Sequence, residues 1–192
     1  MLRKIFSEPA ILILSLACGL SIIFLFVSER TKGLLLSKNA SLEKKVENLS
    51  DLQEGDIVPP IDVLDNQGKE RKLVYQEGQK YLLMIFSPDC KACQLQKGAV
   101  WNNLASQAKS KGFKIFGVSL GPLEESKKYL KNRNIEFEIM VPAQKIFERA
   151  YRIRRIPQVL LINGLGVIKF VHHGTLQEED LNGLFTQIET LK

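Results

Sequence analysis

Cys90 and Cys93 stand in the run Cys90-Lys91-Ala92-Cys93, two thiols with two residues between them. The apolar run Tyr81-Leu82-Leu83-Met84-Ile85-Phe86 comes just before, and a helical pattern follows. This order predicts a buried strand that delivers Cys90 to the start of a helix. Amide dipoles at a helix start carry partial positive charge and favour a thiolate there. Cys93 falls about one turn further along, on the same face. Two sulfurs so placed can pass between dithiol and disulfide, so the pattern points to thiol–disulfide exchange. Ser87, Pro88, Asp89 and Lys91 would form the environment of the thiolate. A charged Asp89 opposes ionisation of Cys90 and Lys91 favours it, so the pattern leaves the sign of the net effect open.

The same residue types could hold a metal. A structural zinc site takes four Cys or His ligands, and the candidates are Cys18, Cys90, Cys93, His172 and His173. Cys18 lies in an apolar run assigned to membrane, which leaves Cys90, Cys93, His172 and His173 as a conceivable set. His172 and His173 are more simply two strand-end histidines, and no metal site is expected.

The elements that must position the thiols alternate. Ile61–Leu64 and Lys72–Tyr75 are expected as short strands around the turn Asp65-Asn66-Gln67-Gly68. Tyr81–Phe86 follows as a strand, then a helix from Cys90 to about Lys111, then a strand over 114–120. A helix over 122–132, a strand over 136–140 and a helix over 143–151 come next. Gln158–Ile162 and Val167–Val171 flank Asn163-Gly164-Leu165-Gly166 as a hairpin, and 177–191 is a last amphipathic helix. The order implies an α/β fold, a mixed sheet with helices on both faces.

Ahead of this domain lies an uncharged run of nineteen residues, Pro9 to Val27. As a helix it would span about 28 Å, close to the ~30 Å of a bilayer core. It exceeds the roughly 7–15 apolar residues of a cleaved signal, so an uncleaved signal anchor is expected. The expected division is a cytoplasmic tip and transmembrane helix over 1–28, a helical stalk over 29–54 and the domain over 55–192. Leu35, Leu42 and Leu49 repeat every seven residues with Val46 beside them, which allows a weak dimer through 35–53. Arg3 and Lys4 precede the run and Arg30, Lys32 and Lys38 follow it. Long domains translocate largely regardless of such charges, so the domain is placed outside the cytoplasm.

The net charge is +6, with seven Lys/Arg against four Asp/Glu in residues 1–50 and twenty against seventeen in 51–192. Charge this evenly spread carries no nucleic-acid signature. The local cluster Arg149, Arg152, Arg154 and Arg155 is either a solvated helix end or a partner-facing patch.

Residues 55–192 resemble the thioredoxin fold and, more narrowly, the membrane-anchored redoxins of the TlpA/ResA type within the AhpC/TSA redoxin superfamily. The resemblance rests on Gly55-Asp56-Ile57-Val58-Pro59, on Phe86-Ser87-Pro88-Asp89-Cys90-Lys91-Ala92-Cys93, on Tyr151-Arg152-Ile153-Arg154-Arg155-Ile156-Pro157-Gln158-Val159 and on the hairpin at Asn163. It implies a cis Pro157 beside the sulfurs, with Ile156 turned toward the substrate. It implies that Cys90 attacks a substrate disulfide and Cys93 resolves the adduct, with no cofactor beyond this redox-active disulfide. It also implies protein thiol or disulfide substrates, apocytochrome c among them, a membrane electron donor, and a periplasmic or extracellular position on a bacterial cytoplasmic membrane. The chain departs from the pattern at Met84, where thioredoxin carries a buried Asp, and at Gln96, where some relatives carry Glu. Both changes remove a proton acceptor for the second thiol. The Trp that precedes the thioredoxin motif is absent, and Trp101 is expected in the core. Two rivals stay open. A peroxiredoxin-like peroxidase would use Ser87, three residues before Cys90, although its required proline position holds Leu83. A copper-binding chaperone on the same fold would use the thiols with a histidine.

Overall fold

The computed structural model describes residues 28–39, 51–144 and 146–191. The chain forms two compact units, 1–50 and 51–192. In the first, residues 28–39 are helical (α1), with Leu34, Leu35 and Leu36 exposed. The expected membrane segment 9–27, Cys18 and the stripe residues Leu42, Val46 and Leu49 lie outside the described residues. Among the described residues no helix is long and apolar enough to cross a membrane.

The second unit begins at Asp51 rather than Gly55. Leu52, placed in the stalk by its sequence, is 2% exposed and belongs to the core. The elements run β1 (Ile61–Leu64), β2 (Glu70–Leu73), β3 (Lys80–Phe86), α2 (Lys91–Leu95), α3 (Gly98–Ser110), β4 (Phe113–Ser119) and α4 (Leu123–Asn132). They continue with β5 (Glu138–Pro142), α5 (Ile146–Ala150), β6 (Gln158–Asn163), β7 (Ile168–His173) and α6 (Glu178–Thr190). The seven strands form one sheet in the order β2-β1-β5-β4-β3-β6-β7. β3 runs parallel to β4 and antiparallel to β6, so the sheet is mixed.

β3 is a continuous apolar run because both of its faces are covered. Leu82, Met84 and Phe86 point into one cluster with Cys93, Val100, Trp101, Leu104, Leu184 and Ile188. Tyr81, Leu83 and Ile85 point into the other, with Leu52, Val58, Phe147 and Tyr151. The first face carries α2, α3, α4 and α6. The second is closed by the short α5 and by the non-helical segment around Leu52 and Val58.

β5 lies two residues later than the expected 136–140, and three further elements differ from expectation. The helix expected from Cys90 to about Lys111 is two helices, because Gln96 (φ −66°, ψ 122°) and Lys97 (φ −74°, ψ 125°) are extended between α2 and α3. Gly98 opens α3 where a Cβ would stand 2.1 Å from the Arg133 carbonyl oxygen, so a side chain there is excluded. β2 pairs at Glu70–Leu73 rather than 72–75, since the Asp65 carboxylate accepts the Gln67 and Lys69 N–H groups and closes the turn early. The helix expected over 143–151 narrows to α5, and Arg152 takes a left-handed φ of 45° just after it.

Candidate active site

β3 and β6 are antiparallel neighbours with Ile85 opposite Gln158, so the end of one strand meets the beginning of the other. The chain leaves β3 and reaches Cys90 within a short loop, and it enters β6 directly after Pro157. Residues 66 positions apart are thereby brought together: the Cys90 Sγ–H donates to the Ile156 carbonyl oxygen at 3.5 Å. The Ile156–Pro157 bond is cis. The Pro157 carbonyl accepts the Gly174 N–H at 2.8 Å, which ties this turn to the end of β7. Among the described residues the Ile156 N–H has no partner.

Cys90 is the N-cap of α2, and its sulfur accepts the Cys93 N–H at 3.3 Å. This amide is placed to donate to the sulfur. Helix α2 has only five residues, so single amides, more than an extended dipole, act on Cys90. Cys90 is half-buried and Cys93 fully so, at 0% exposure. Burial pushes the Cys93 thiol up to about 12; Cys90 adds to the rise and the Ser87 main chain offsets part of it. Both cysteines are free thiols in this structure.

Ser87 and Pro88 are half-buried, whereas Asp89 and Lys91 are exposed. The Cys90 N–H donates to the Ser87 carbonyl at 3.2 Å. Met84, the position of the missing carboxylate, is apolar and fully buried in the Cys93 cluster. Gln96 is 3% exposed and joins two backbone groups of Leu176: its Nε2 donates to that carbonyl at 3.1 Å, and its Oε1 accepts that N–H at 2.8 Å. This amide fastens the end of α2 to the segment before α6.

Two further site residues escaped the sequence. Tyr129 on α4 donates its hydroxyl to the Cys93 carbonyl at 2.6 Å and stacks on Phe86 with ring centroids 5.0 Å apart. Arg133 donates to the Gln94 carbonyl at 3.0 Å and covers the Tyr129 ring at 4.1 Å. Tyr129 adds a second donor to the Cys93 carbonyl, which also accepts the Gln96 N–H, and Arg133 supplies a donor to the Gln94 carbonyl. No local signal marks them, since their partners lie 36 and 39 residues away.

His172 and His173 pair with Val159 and Gln158 across β6 and β7. Among the described residues no three His, Cys, Asp or Glu side chains are grouped to hold a metal, so the four candidate ligands are not gathered. Leu83, where a peroxiredoxin needs proline, is a fully buried strand residue.

A Cys-x-x-C pair at a helix start, set against the residue before a cis-proline on this sheet, defines a thiol–disulfide oxidoreductase of thioredoxin fold. The chain belongs to the AhpC/TSA family, whose model matches residues 55–171. It is similar to the thiol-disulfide oxidoreductase ResA of Geobacillus kaustophilus (strain HTA426), with 27% identity over 128 residues, 66% of this chain and 73% of that protein. The fold is shared with a thiol:disulfide interchange protein from Bacteroides sp. (TM-score 0.59, 24% identity, 73% of this chain and 93% of that one). It is shared also with a peroxiredoxin-like protein from Aquifex aeolicus (TM-score 0.57, 14% identity, 72% and 88%). The fold alone therefore does not choose the chemistry; the paired cysteines do.

Proposed function

We propose that this chain reduces disulfide bonds of protein substrates outside the cytoplasm. One observation carries the proposal: Cys90 reaches solvent against Ile156 while Cys93 is sealed behind it. In the first step the Cys90 thiolate attacks one sulfur of the substrate disulfide. That S–S bond breaks, and the departing substrate thiolate takes up a proton. In the second step Cys93 gives up its proton and attacks the Cys90 sulfur. The Cys90–Cys93 disulfide forms, the second substrate thiolate leaves, and two electrons have passed from the dithiol to the substrate. The free Ile156 N–H and its carbonyl would pair with the main chain of an extended substrate once Cys90 has turned to it.

The seal on Cys93 supports this order of events. A thiol held near 12 is almost wholly protonated at neutral pH, so it does not compete with Cys90 for the substrate. With an apolar side chain at Met84 and an amide at Gln96, the proton acceptor is the outgoing substrate sulfur or water.

The uncharged run 9–27 supports anchoring in a bacterial cytoplasmic membrane, with the domain on the periplasmic or extracellular side and a membrane dithiol protein as electron donor. Apocytochrome c is one substrate class that the resemblance suggests. Insulin reduction by the full chain tests the chemistry. Cys90→Ser is expected to abolish turnover and Cys93→Ser to trap a substrate adduct on Cys90. Full turnover by Cys90→Ser would reject the assignment, and rapid sulfenate formation with hydrogen peroxide would favour a peroxidase. Protease accessibility of the domain in intact cells and inverted vesicles tests its side of the membrane.

A further inference from the structure

The loop that presents Ile156 to Cys90 is held from outside itself. Residues 151–157 connect α5 to β6, and near the start of this loop Arg152 holds a left-handed conformation. Such a conformation costs a non-glycine residue on the order of 1 kcal/mol and needs support from its surroundings. The Ile153 N–H donates to the Glu148 carbonyl at 2.8 Å, and Pro157 is tied to Gly174. Two arginine side chains add to these ties. Arg155 donates to the Asp51 carboxylate, and Arg152 to Asp56 at 3.0 Å.

Both acids belong to the segment that opens the domain. That segment is itself fastened. The Gly55 N–H bonds the Ile168 carbonyl at 2.9 Å, the Ile168 N–H bonds the Asp56 carbonyl at 2.8 Å, and the Val58 N–H bonds the Gly166 carbonyl at 2.9 Å. Leu52 is in the core, with Ile153 and Ile156 of the loop packed against its cluster. The Asp51 side chain is 9% exposed and that of Asp56 25%, while those of Arg155 and Arg152 are 55% and 41% exposed. The acids are thus the fixed partners and the arginines the movable ones. The guanidinium groups of both pairs stay in water, which screens the pairs, so the effect to expect is on loop geometry.

We propose that Asp51 and Asp56 are positioning residues that, through Arg155 and Arg152, hold the Ile156 loop in register for the main chain of a protein substrate. The inference rests on the reading of the chain as a protein-disulfide reductase and adds what sets its substrate range. A small disulfide needs only the sulfur of Cys90. A polypeptide disulfide also needs the Ile156 backbone in place. The clamp therefore favours protein substrates over small ones.

The test uses the full chain in detergent, with insulin and a small aromatic disulfide as alternative substrates. In Asp51→Asn/Asp56→Asn the KM for insulin is expected to rise about fivefold, with kcat and the small-disulfide rate unchanged within about twofold. The reduction potential of the Cys90–Cys93 couple is expected to stay as in the parent. The same shift is expected from Arg152→Gln/Arg155→Gln, which removes the clamp from its exposed side, and Asp51→Glu/Asp56→Glu is expected to restore the parent KM. An unchanged insulin KM in either folded double variant overturns the proposal. So does an equal fall in both substrates' rates, which would make the clamp merely structural, and so does failure of both double variants to fold. The parent chain and Cys90→Ser run in the same assay keep the two readings apart. A parent that does not reduce insulin sinks the reductase reading itself, whereas an active parent with an indifferent clamp sinks only this inference.

Discussion

The hydroxyl of Tyr129 meets the main-chain carbonyl of Cys93 at 2.6 Å, so a side chain from α4 holds the backbone of the buried thiol. Burial raises this phenol to about 12, with Arg133 pulling it down and the two cysteines pushing it up, so at neutral pH it is a neutral donor. Its loss leaves the carbonyl only the Gln96 N–H at 3.1 Å. Tyr129→Phe is expected to lower the unfolding free energy by about 1 kcal/mol, the usual net value of one hydrogen bond. Urea denaturation of the reduced chain checks this, and an unchanged midpoint would remove the role given to the hydroxyl.

Gln96 makes a stronger demand. Gln96→Ala strands the Leu176 N–H and carbonyl in a buried place, and a loss of about 2–3 kcal/mol is expected. Gln96→Glu separates the roles of this side chain. An ionised carboxylate still accepts the Leu176 N–H but cannot donate to the Leu176 carbonyl, and its burial disfavours the charge. A carboxyl held up in this way is more stabilising when protonated, so this variant is expected to lose less stability at pH 4 than at pH 7. Equal losses at both pH values would contradict the two-way bond.

The second chemical step is expected to be steeply pH dependent. With Cys93 held near 12, its thiolate fraction rises about tenfold per pH unit through the neutral range. Decay of a pre-formed Cys90–substrate mixed disulfide, followed by acid quench and mass spectrometry, is expected to rise with that slope from pH 6 to pH 9. A plateau below pH 8 would mean that a base acts on Cys93.

Linkage gives a companion prediction. Folded Cys93 binds its proton more tightly, near 12, than an ordinary thiol near 9.0 does. Its contribution to stability is therefore complete below pH 9 and is lost as pH rises from 9 toward 12. The reduced chain is expected to lose stability across that window relative to reduced Cys93→Ser, which lacks the group. Parallel curves for the two proteins would contradict the burial of the thiol.

Much of this site is legible in the sequence. The seven-residue apolar strand, the paired cysteines after it and Pro157 before the next strand each lie within one short window, where residue type and spacing carry the information. Trp101, expected in the core, is fully buried. The missed features depend on distant residues. The break at Gln96 is accompanied by a bond to Leu176, 80 positions on, and Gly98 is its local signal in the sequence. Asp51 looked like stalk because its partner, Arg155, lies 104 positions away. Polar residues with one remote hydrogen bond are indistinguishable in sequence from solvated ones. For the same reason the arginine cluster resolves into two paired members, Arg152 and Arg155, only in three dimensions.

The account rests on a dithiol that gives electrons to its substrates, and the reduction potential of the Cys90–Cys93 couple tests this most directly. Equilibration of the full chain against glutathione buffers, with the thiols counted by alkylation and mass, is expected to place it near ~−270 mV, in the range of thioredoxin-like reductants. A value near ~−120 mV would mark a protein that takes electrons and would contradict the reductase reading.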